Sequence, residues 1–541
     1  MRELSPQTMD VRVDESTEAR LSSKGWIAVA ALAVVTYFIR DCYQFLKPQF
    51  WAEDATIFLA MSVREALLNL VHPYAGYFHF APRTLALLGA FFPTVLAPAV
   101  FYYGAVAAAV ASCVAIYLMV GTFPTHLRIL FALAPMLVLP AGEVYGNVTN
   151  IQWFFGVAFG VLVLTYRGDT FRSRGWLVMG EVLALTGPFS VVFWPCLLVW
   201  SWLTGRLPVN AKMLVVVGIG AFVQLAAVVL MGVNKYGVGI AAASAWVRAV
   251  KIFVGSFVTL SGVTGGVAVL AIFVLLAFGL RRNFVERLRG GYLPFGLVCM
   301  ALLTLLMGLW THKHMPDEIN PLGPGERYFF LPFNFLFMAV IASAQAVGKK
   351  YHWFCLVVAL SLVFGWSRHF RKGELSDFRW RDYYALSQVT QDSLIPIQPG
   401  WVLRLNNDRP DRLVSVMPVD LSRLEPFYGV LHTDGDETTL IEERVSGDPA
   451  SQIVFDVPSS CLKTEHRFVR VALKDAARVH LYLPDVNDIS SKSASLIWHV
   501  GANDHWYFDV PNRVSTKIVR LGVTSDSGGI VRGLKLSWVC W

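Results

Sequence analysis

The run GWIAVAALAVVTYFI, residues 25–39, decides the class of this fold. It is apolar throughout, and Arg40 and Asp41 close it. A bilayer core requires ~20 residues, so a span here draws on its flanks. Similar runs recur at Pro82–Phe92, Leu96–Val120, Leu127–Leu139, Ile151–Tyr166, Trp176–Thr186, Phe189–Leu203, Met213–Val233, Gly265–Leu280, Tyr292–Leu309, Tyr328–Ala344 and Trp353–Trp366. Together they predict a polytopic α-helical membrane protein of about 10 to 12 spans. The whole chain agrees: 541 residues, 55% hydrophobic, with a mean hydropathy of +0.51, beyond the range of soluble domains.

The net charge is +8. In a membrane protein such an excess reflects cytoplasmic Lys and Arg rather than nucleic-acid binding. Basic loops at Arg167–Arg174, Arg206–Lys212, Arg281–Arg289 and Lys349–Lys350 close consistently on one side. That orientation puts the loop 140–150, the segment Asn234–Val263, the loop Trp310–Glu326 and the C-terminal tail outside. Pro82–Phe92, bounded by Pro82 and Pro93, reads as a half-helix or re-entrant segment, so that 82–120 crosses once. The opposite parity would put the acidic pair described next on the cytoplasmic face.

The polar residues 1–24 read as a disordered cytoplasmic tail. They are followed by a membrane domain over 25–366 and a linker over 367–400. From Trp401, short alternating segments separated by turn residues predict an antiparallel jelly-roll-like β-sandwich over 401–541. Of the 7 cysteines, Cys461 and Cys540 lie in this tail and could pair outside the cytoplasm.

The first polar loop opens with FWAEDA, residues 50–55. Trp51 marks the membrane–water boundary, and Glu53 and Asp54 stand beside it. Asp54–Val71 reads as one amphipathic interfacial helix, with Leu59, Val63, Ala66, Leu67 and Leu70 on one face and Ser62, Glu65 and Asn69 on another. His72, His79 and Arg83 follow later in the same loop, and with the acidic pair they make the first of four outer clusters. Glu143, Asn147, Asn150 and Gln152 form a second group. A third holds His312, Lys313, His314, Asp317, Glu318, Glu326, Arg327 and Tyr328, and a fourth holds Lys235, Arg248 and Lys251 on an interfacial stretch. Transfer to a hydroxyl requires a base, which a carboxylate supplies. A phosphate leaving group requires cations or hydrogen-bond donors. Plainer readings compete: a helix cap for Glu53-Asp54, a solvated loop for Glu143, an interfacial anchor for Arg327-Tyr328, and headgroup contacts for the lysines. His312 and His314 alternate as metal ligands can, but no third ligand stands at fixed spacing.

With this acidic first-loop motif, the segment from Gly142-Glu143 to Gln152, Gly325–Tyr328 with Pro332, many spans and an appended outer domain, the chain resembles the GT-C superfamily of membrane glycosyltransferases. No Trp-Trp-Asp motif of oligosaccharyltransferases is present. The resemblance implies an inverting enzyme of a bacterial inner membrane, with its C-terminal domain periplasmic. Such an enzyme moves one sugar from a polyprenyl-phosphate donor to a cell-envelope glycan or, as a lesser alternative, a protein. Asp54 would be the base, with Glu53 beside it. Arg327, Tyr328, Lys235, Arg248, Lys251 and Lys313 would hold the donor phosphate. Trp51, His79, Arg83, Glu143, Asn147, Asn150, Gln152 and His312 would contact substrates. The one cofactor allowed is a divalent ion, Mg or Mn, on Glu53, Asp54 or Glu143. The alternatives are an O-antigen polymerase or ligase and, more weakly, a glycolipid transporter or flippase.

Overall fold

In the computed structural model the described residues are chiefly 25–139, 142–168, 173–231, 240–259, 292–323, 325–347, 352–373 and 377–389, then the strands of the tail with some of their connections. The chain forms two compact units. One comprises the chain up to Pro48, Met61–Phe92 and Ala99–Glu374; the other comprises Gln49–Ala60, Pro93–Pro98 and Leu375–Trp541.

The helices run in order α1 (Gly25–Arg40), α2 (Cys42–Leu46), α3 (Ala60–Glu65), α4 (Phe80–Gly89), α5 (Ala97–Met119), α6 (Thr125–Ala132), α7 (Ala134–Leu137), α8 (Ile151–Thr165), α9 (Arg174–Ala184), α10 (Phe189–Leu203), α11 (Leu207–Leu230), α12 (Ala243–Thr259), α13 (Leu293–Thr311), α14 (Arg327–Val347), α15 (His352–Trp366) and α16 (Trp380–Val389). Among the described residues four helices are long and apolar enough to cross a membrane: Thr94–Met119, α11, α13 and Arg327–Ala346; α1, α8 and α10 are shorter and apolar. The expected run Leu127–Leu139 is not one span. It breaks between α6 and α7 at Leu133, where Pro135, in the first turn of α7, has no N–H to bond the Phe131 carbonyl of α6. The Pro82–Phe92 run yields α4, only 10 residues long. Gly265–Leu280 lies outside the described residues.

The helix expected over Asp54–Val71 is also broken. A π-helical turn, Asp54–Leu59, leads to α3, and a 3-10 segment, Ala66–Val71, starts with Ala66 at φ 50°. Beyond Met61 the faces are reversed relative to a helix in water. Ser62 and Asn69 are buried, whereas Val63, Leu67, Leu68 and Val71 are 63–70% exposed. Apolar side chains outward and polar ones inward is the arrangement a lipid surroundings selects.

Helix α8 is buried on all sides, packed by α4, α9, α10, α13 and α14. Small residues make the approach possible, as is usual where lipid supplies no hydrophobic drive. A Cβ at Gly160 would overlap the Phe335 ring, and one at Gly156 would meet Phe189 at 3.0 Å and Leu331 at 3.1 Å.

In the second unit the strands pair antiparallel: β1 (Asp392–Ile397) with β2 (Trp401–Asn406), and β6 (Glu437–Ile441) with β5 (Val430–Asp434) and β13 (Ile530–Val531). A five-stranded sheet has the order β10 (Leu496–Val500), β9 (Ala477–Tyr482), β12 (Ile518–Ser525), β7 (Ser451–Asp456), β4 (Pro426–Tyr428). A four-stranded sheet has the order β11 (His505–Asp509), β8 (Arg467–Ala472), β14 (Lys535–Cys540), β3 (Val416–Pro418). In that sheet Val469 lies opposite both Phe508 and Trp538, and Val471 opposite Leu536. All five are buried. Phe468, on the other face, meets the Tyr383 ring of α16 edge-on at 5.4 Å. Cys461 is disulfide-bonded to Cys540 across 79 residues.

Two stability experiments on the full chain follow from this packing. Gly160→Leu is expected to lower stability by about 1–3 kcal/mol through overpacking against Phe335, read as a lower thermal midpoint in detergent. Cys461→Ser is expected to remove about 4 kcal/mol from the tail on the chain-entropy scale, read as faster proteolysis after residue 400 with the membrane unit unchanged.

Candidate functional site

The densest polar cluster of the membrane unit forms where the loop 142–150 meets the start of α14. Two asparagines shape that loop. Asn147 Nδ2 donates to the Glu143 carbonyl at 2.7 Å, and its Oδ1 accepts from Asn150 N at 2.8 Å. Asn150 Nδ2 also donates to the Glu143 carbonyl, at 2.8 Å. Gly146 takes φ 82°, and a side chain there would meet Asp41 Oδ2 at 2.6 Å. Asn147 and Asn150, expected as substrate contacts, both shape this loop through their amides.

The loop so shaped presents Glu143 to Arg327, with Arg327 Nη1 2.9 Å from Glu143 Oε2. The buried Glu326 carboxylate accepts the backbone N–H of Glu143 and fills the space that a side chain at Gly142 would require. Burial pushes the Glu326 carboxyl above the usual carboxylate range; the Glu143 charge adds to this, while the amides of 142 and 143 and Lys372 oppose it. The Tyr328 ring stands edge-on to Trp153 at 5.6 Å and to His312 at 4.6 Å. Gly308 admits Tyr328 against α13. Burial holds His312 below the usual imidazole range, so it is the neutral form that is favoured.

The first-loop residues pack nearby within the same unit. Tyr74 and Tyr77 close a turn by mutual backbone bonds, and Tyr77 stacks on the buried His79 at 4.4 Å. Gln152 Nε2 lies 3.4 Å from the Tyr77 hydroxyl. Gln224 on α11 pins the turn by bonding Phe78 N and O, at 2.8 and 3.1 Å. Arg83 is fully buried and donates to Asn69 Oδ1, beneath the exposed apolar row. On the other side of the third cluster, Arg248 pairs with Asp317 at 2.8 Å, and this holds the Asp317 carboxyl below its usual range. The Lys313 carbonyl accepts from Ala241 N, and its ammonium lies 5.6 Å from the Trp310 ring centre. Lys251 is exposed on α12, and Lys235 lies outside the described residues.

The acidic stretch belongs to the second unit. Trp51 bridges to Gln398, Phe50 O accepts from Gln398 N at 3.0 Å, and Phe378 N donates to Gln49 Oε1 at 3.0 Å. Asp54 is 2% exposed, at the first residue of the π-helical turn. Glu53 is half-buried and makes no side-chain capping bond, so the cap reading is not realised by Glu53.

Among the described residues no three His, Cys, Asp or Glu side chains are grouped as metal ligands, and Glu143 is engaged by Arg327. Tyr77 and Trp153 join the cluster without having been assigned a role by the sequence. Glu326 stood in the third outer cluster and Gly142 at the start of the second, neither with a role of its own. No protein-family model, no curated protein and no solved structure matches the chain.

A carboxyl raised in the fold favours its protonated form, so its contribution to stability is present below the ordinary carboxylate range and fades as pH rises through the raised value. Thermal unfolding of the full chain between about pH 4.5 and 8 is expected to show this falling limb. Glu326→Gln should flatten it.

Proposed function

We propose that the protein is a membrane glycosyltransferase that moves one sugar from a polyprenyl-phosphate donor to a cell-envelope glycan, or to a protein as the lesser alternative. One observation carries this reading: a guanidinium, Arg327, opens a membrane-length helix within an aromatic setting of Tyr328, Trp153 and His312. That suits the phosphate of an amphiphile at the boundary of the bilayer. The acceptor oxygen attacks the anomeric carbon with inversion. Its proton passes to Asp54, and the bond to the lipid phosphate breaks with its electron pair leaving on the phosphate oxygen. Arg327 and Tyr328 stabilise that anion. Glu53 supports Asp54.

The paired sheets of the tail, with buried residues on both faces of the four-stranded one, support a jelly-roll-like sandwich that binds or presents the acceptor. The Cys461–Cys540 disulfide supports an oxidising, periplasmic setting for it in a bacterial inner membrane.

The neighbouring His312 and Arg327 in a late outer loop also suit an O-antigen polymerase or ligase. Transfer of labelled sugar in membranes separates the two. Asp54→Asn is expected to lower transfer about 100-fold or more, the size of a lost general base, at matched expression. Retained activity in Asp54→Asn and Glu53→Gln, with loss in Arg327→Ala, would overturn the glycosyltransferase mechanism in favour of the second reading.

A further inference from the structure

The Glu143–Arg327 pair is joined by a single hydrogen bond at 2.9 Å, with side chains 32% and 36% exposed. A monodentate pair in contact with solvent is weak, since screening and side-chain entropy remove most of its Coulomb attraction. The link beneath it is of a different kind. Glu326 accepts the Glu143 backbone N–H in a buried setting, and Asn147 and Asn150 both donate to the Glu143 carbonyl. The backbone of residue 143 is therefore fixed on both sides, while among the described residues its carboxylate is held by Arg327.

We propose that Glu143 is a placeholder: its carboxylate occupies, on Arg327, the position that a ligand phosphate takes, and it swings aside when that phosphate binds. This rests on the donor role given above to Arg327. A phosphate offers several acceptor oxygens and higher charge, matching the guanidinium fork better than one carboxylate oxygen. Displacement requires no rearrangement of the loop. On release of the phosphate, the anchored backbone returns the carboxylate, so Arg327 is not left uncompensated at the membrane boundary. Glu143 thereby sets a threshold: neutral lipids gain nothing by approaching Arg327, and only an anion able to compete with a carboxylate is retained.

The placeholder predicts that removing an apparent site residue tightens binding. Purified full-length wild type, Glu143→Gln, Glu143→Ala and Arg327→Ala in detergent would be titrated with farnesyl phosphate, inorganic phosphate and farnesol. Both Glu143 variants are expected to bind farnesyl phosphate about fivefold tighter or more, the yield of releasing a partly exposed pair. Arg327→Ala should bind it more weakly than wild type, and farnesol should not distinguish the proteins. Tightening for farnesyl phosphate alone identifies a lipid phosphate as the ligand; tightening for inorganic phosphate as well shows that the phosphate group suffices. Either supports the placeholder. Unchanged or weaker binding by the Glu143 variants, with Arg327→Ala impaired, overturns it and leaves the donor role of Arg327 standing. Wild-type binding by Arg327→Ala overturns the donor role too.

Discussion

Polar groups of the membrane unit must find partners inside the protein, because a lipid surroundings offers none. Two arginines show how this is met in part, with Arg40 Nε and Nη2 and Arg128 Nη2 buried without a hydrogen-bond partner among the described residues. Arg40, at the end of α1, donates to the Met136 and Val138 carbonyls at 2.9 and 2.8 Å and lies between the Tyr145 and Phe370 rings. Those carbonyls are open because α7 ends there. Arg128 donates to the Tyr117 carbonyl at 2.7 Å and covers its ring at 3.8 Å, near the end of α5. Asn210 of α11 serves three partners near the end of α8: the Tyr166 carbonyl, Ser201 Oγ of α10 and the amide of Gly168. Each such side chain closes a helix end that water would otherwise solvate.

The same constraint explains what could be read from the sequence. Long apolar runs such as Met213–Val233 and Tyr292–Leu309 declare themselves and fall on the helices Leu207–Leu230 and Leu293–Thr311, since burial in lipid tolerates little else. The strand pattern of the tail was also legible: the alternation in Arg467–Leu473, Trp506–Val510 and Lys517–Val523 coincides with β8, β11 and β12. The break at Ala66 was not, because alanine is a strong helix former and its left-handed φ is imposed by surroundings rather than by its own preference. Nor was the inward turn of Ser62 and Asn69, which depends on Arg83 lying beneath them.

The candidate site divides in the same way. Glu143 and Arg327 were visible as residues with chemistry, but their pairing spans 184 positions and needs α8 and α14 to be packed together first. Asn147 and Asn150 looked like ligand contacts because amides in an outer loop often are. Only the folded loop shows their donors turned onto the Glu143 carbonyl. Glu326 was visible as a polar residue of the third outer cluster, but not its use: it turns to the amide of residue 143 and leaves Arg327 to Glu143.

The acidic pair carries a further consequence for how the second unit works. Glu53 and Asp54 follow the first span in sequence, yet the backbone on either side of Trp51 is held by residues more than 300 positions later. Phe50 lies edge-on to Trp380 at 4.8 Å, and Trp380 Nε1 donates to the Val95 carbonyl at 3.2 Å. The Phe378 amide bonds Gln49, and the Gln398 amide bonds Phe50. From α16 the contact runs on through Tyr383 to Phe468 in the four-stranded sheet. The groups that fix this backbone, Phe378, Trp380 and Gln398, belong to the segment that precedes the tail. That segment is thus a structural part of the acidic stretch, and a substitution at Trp380 or Gln398 would be felt there without touching its carboxylates.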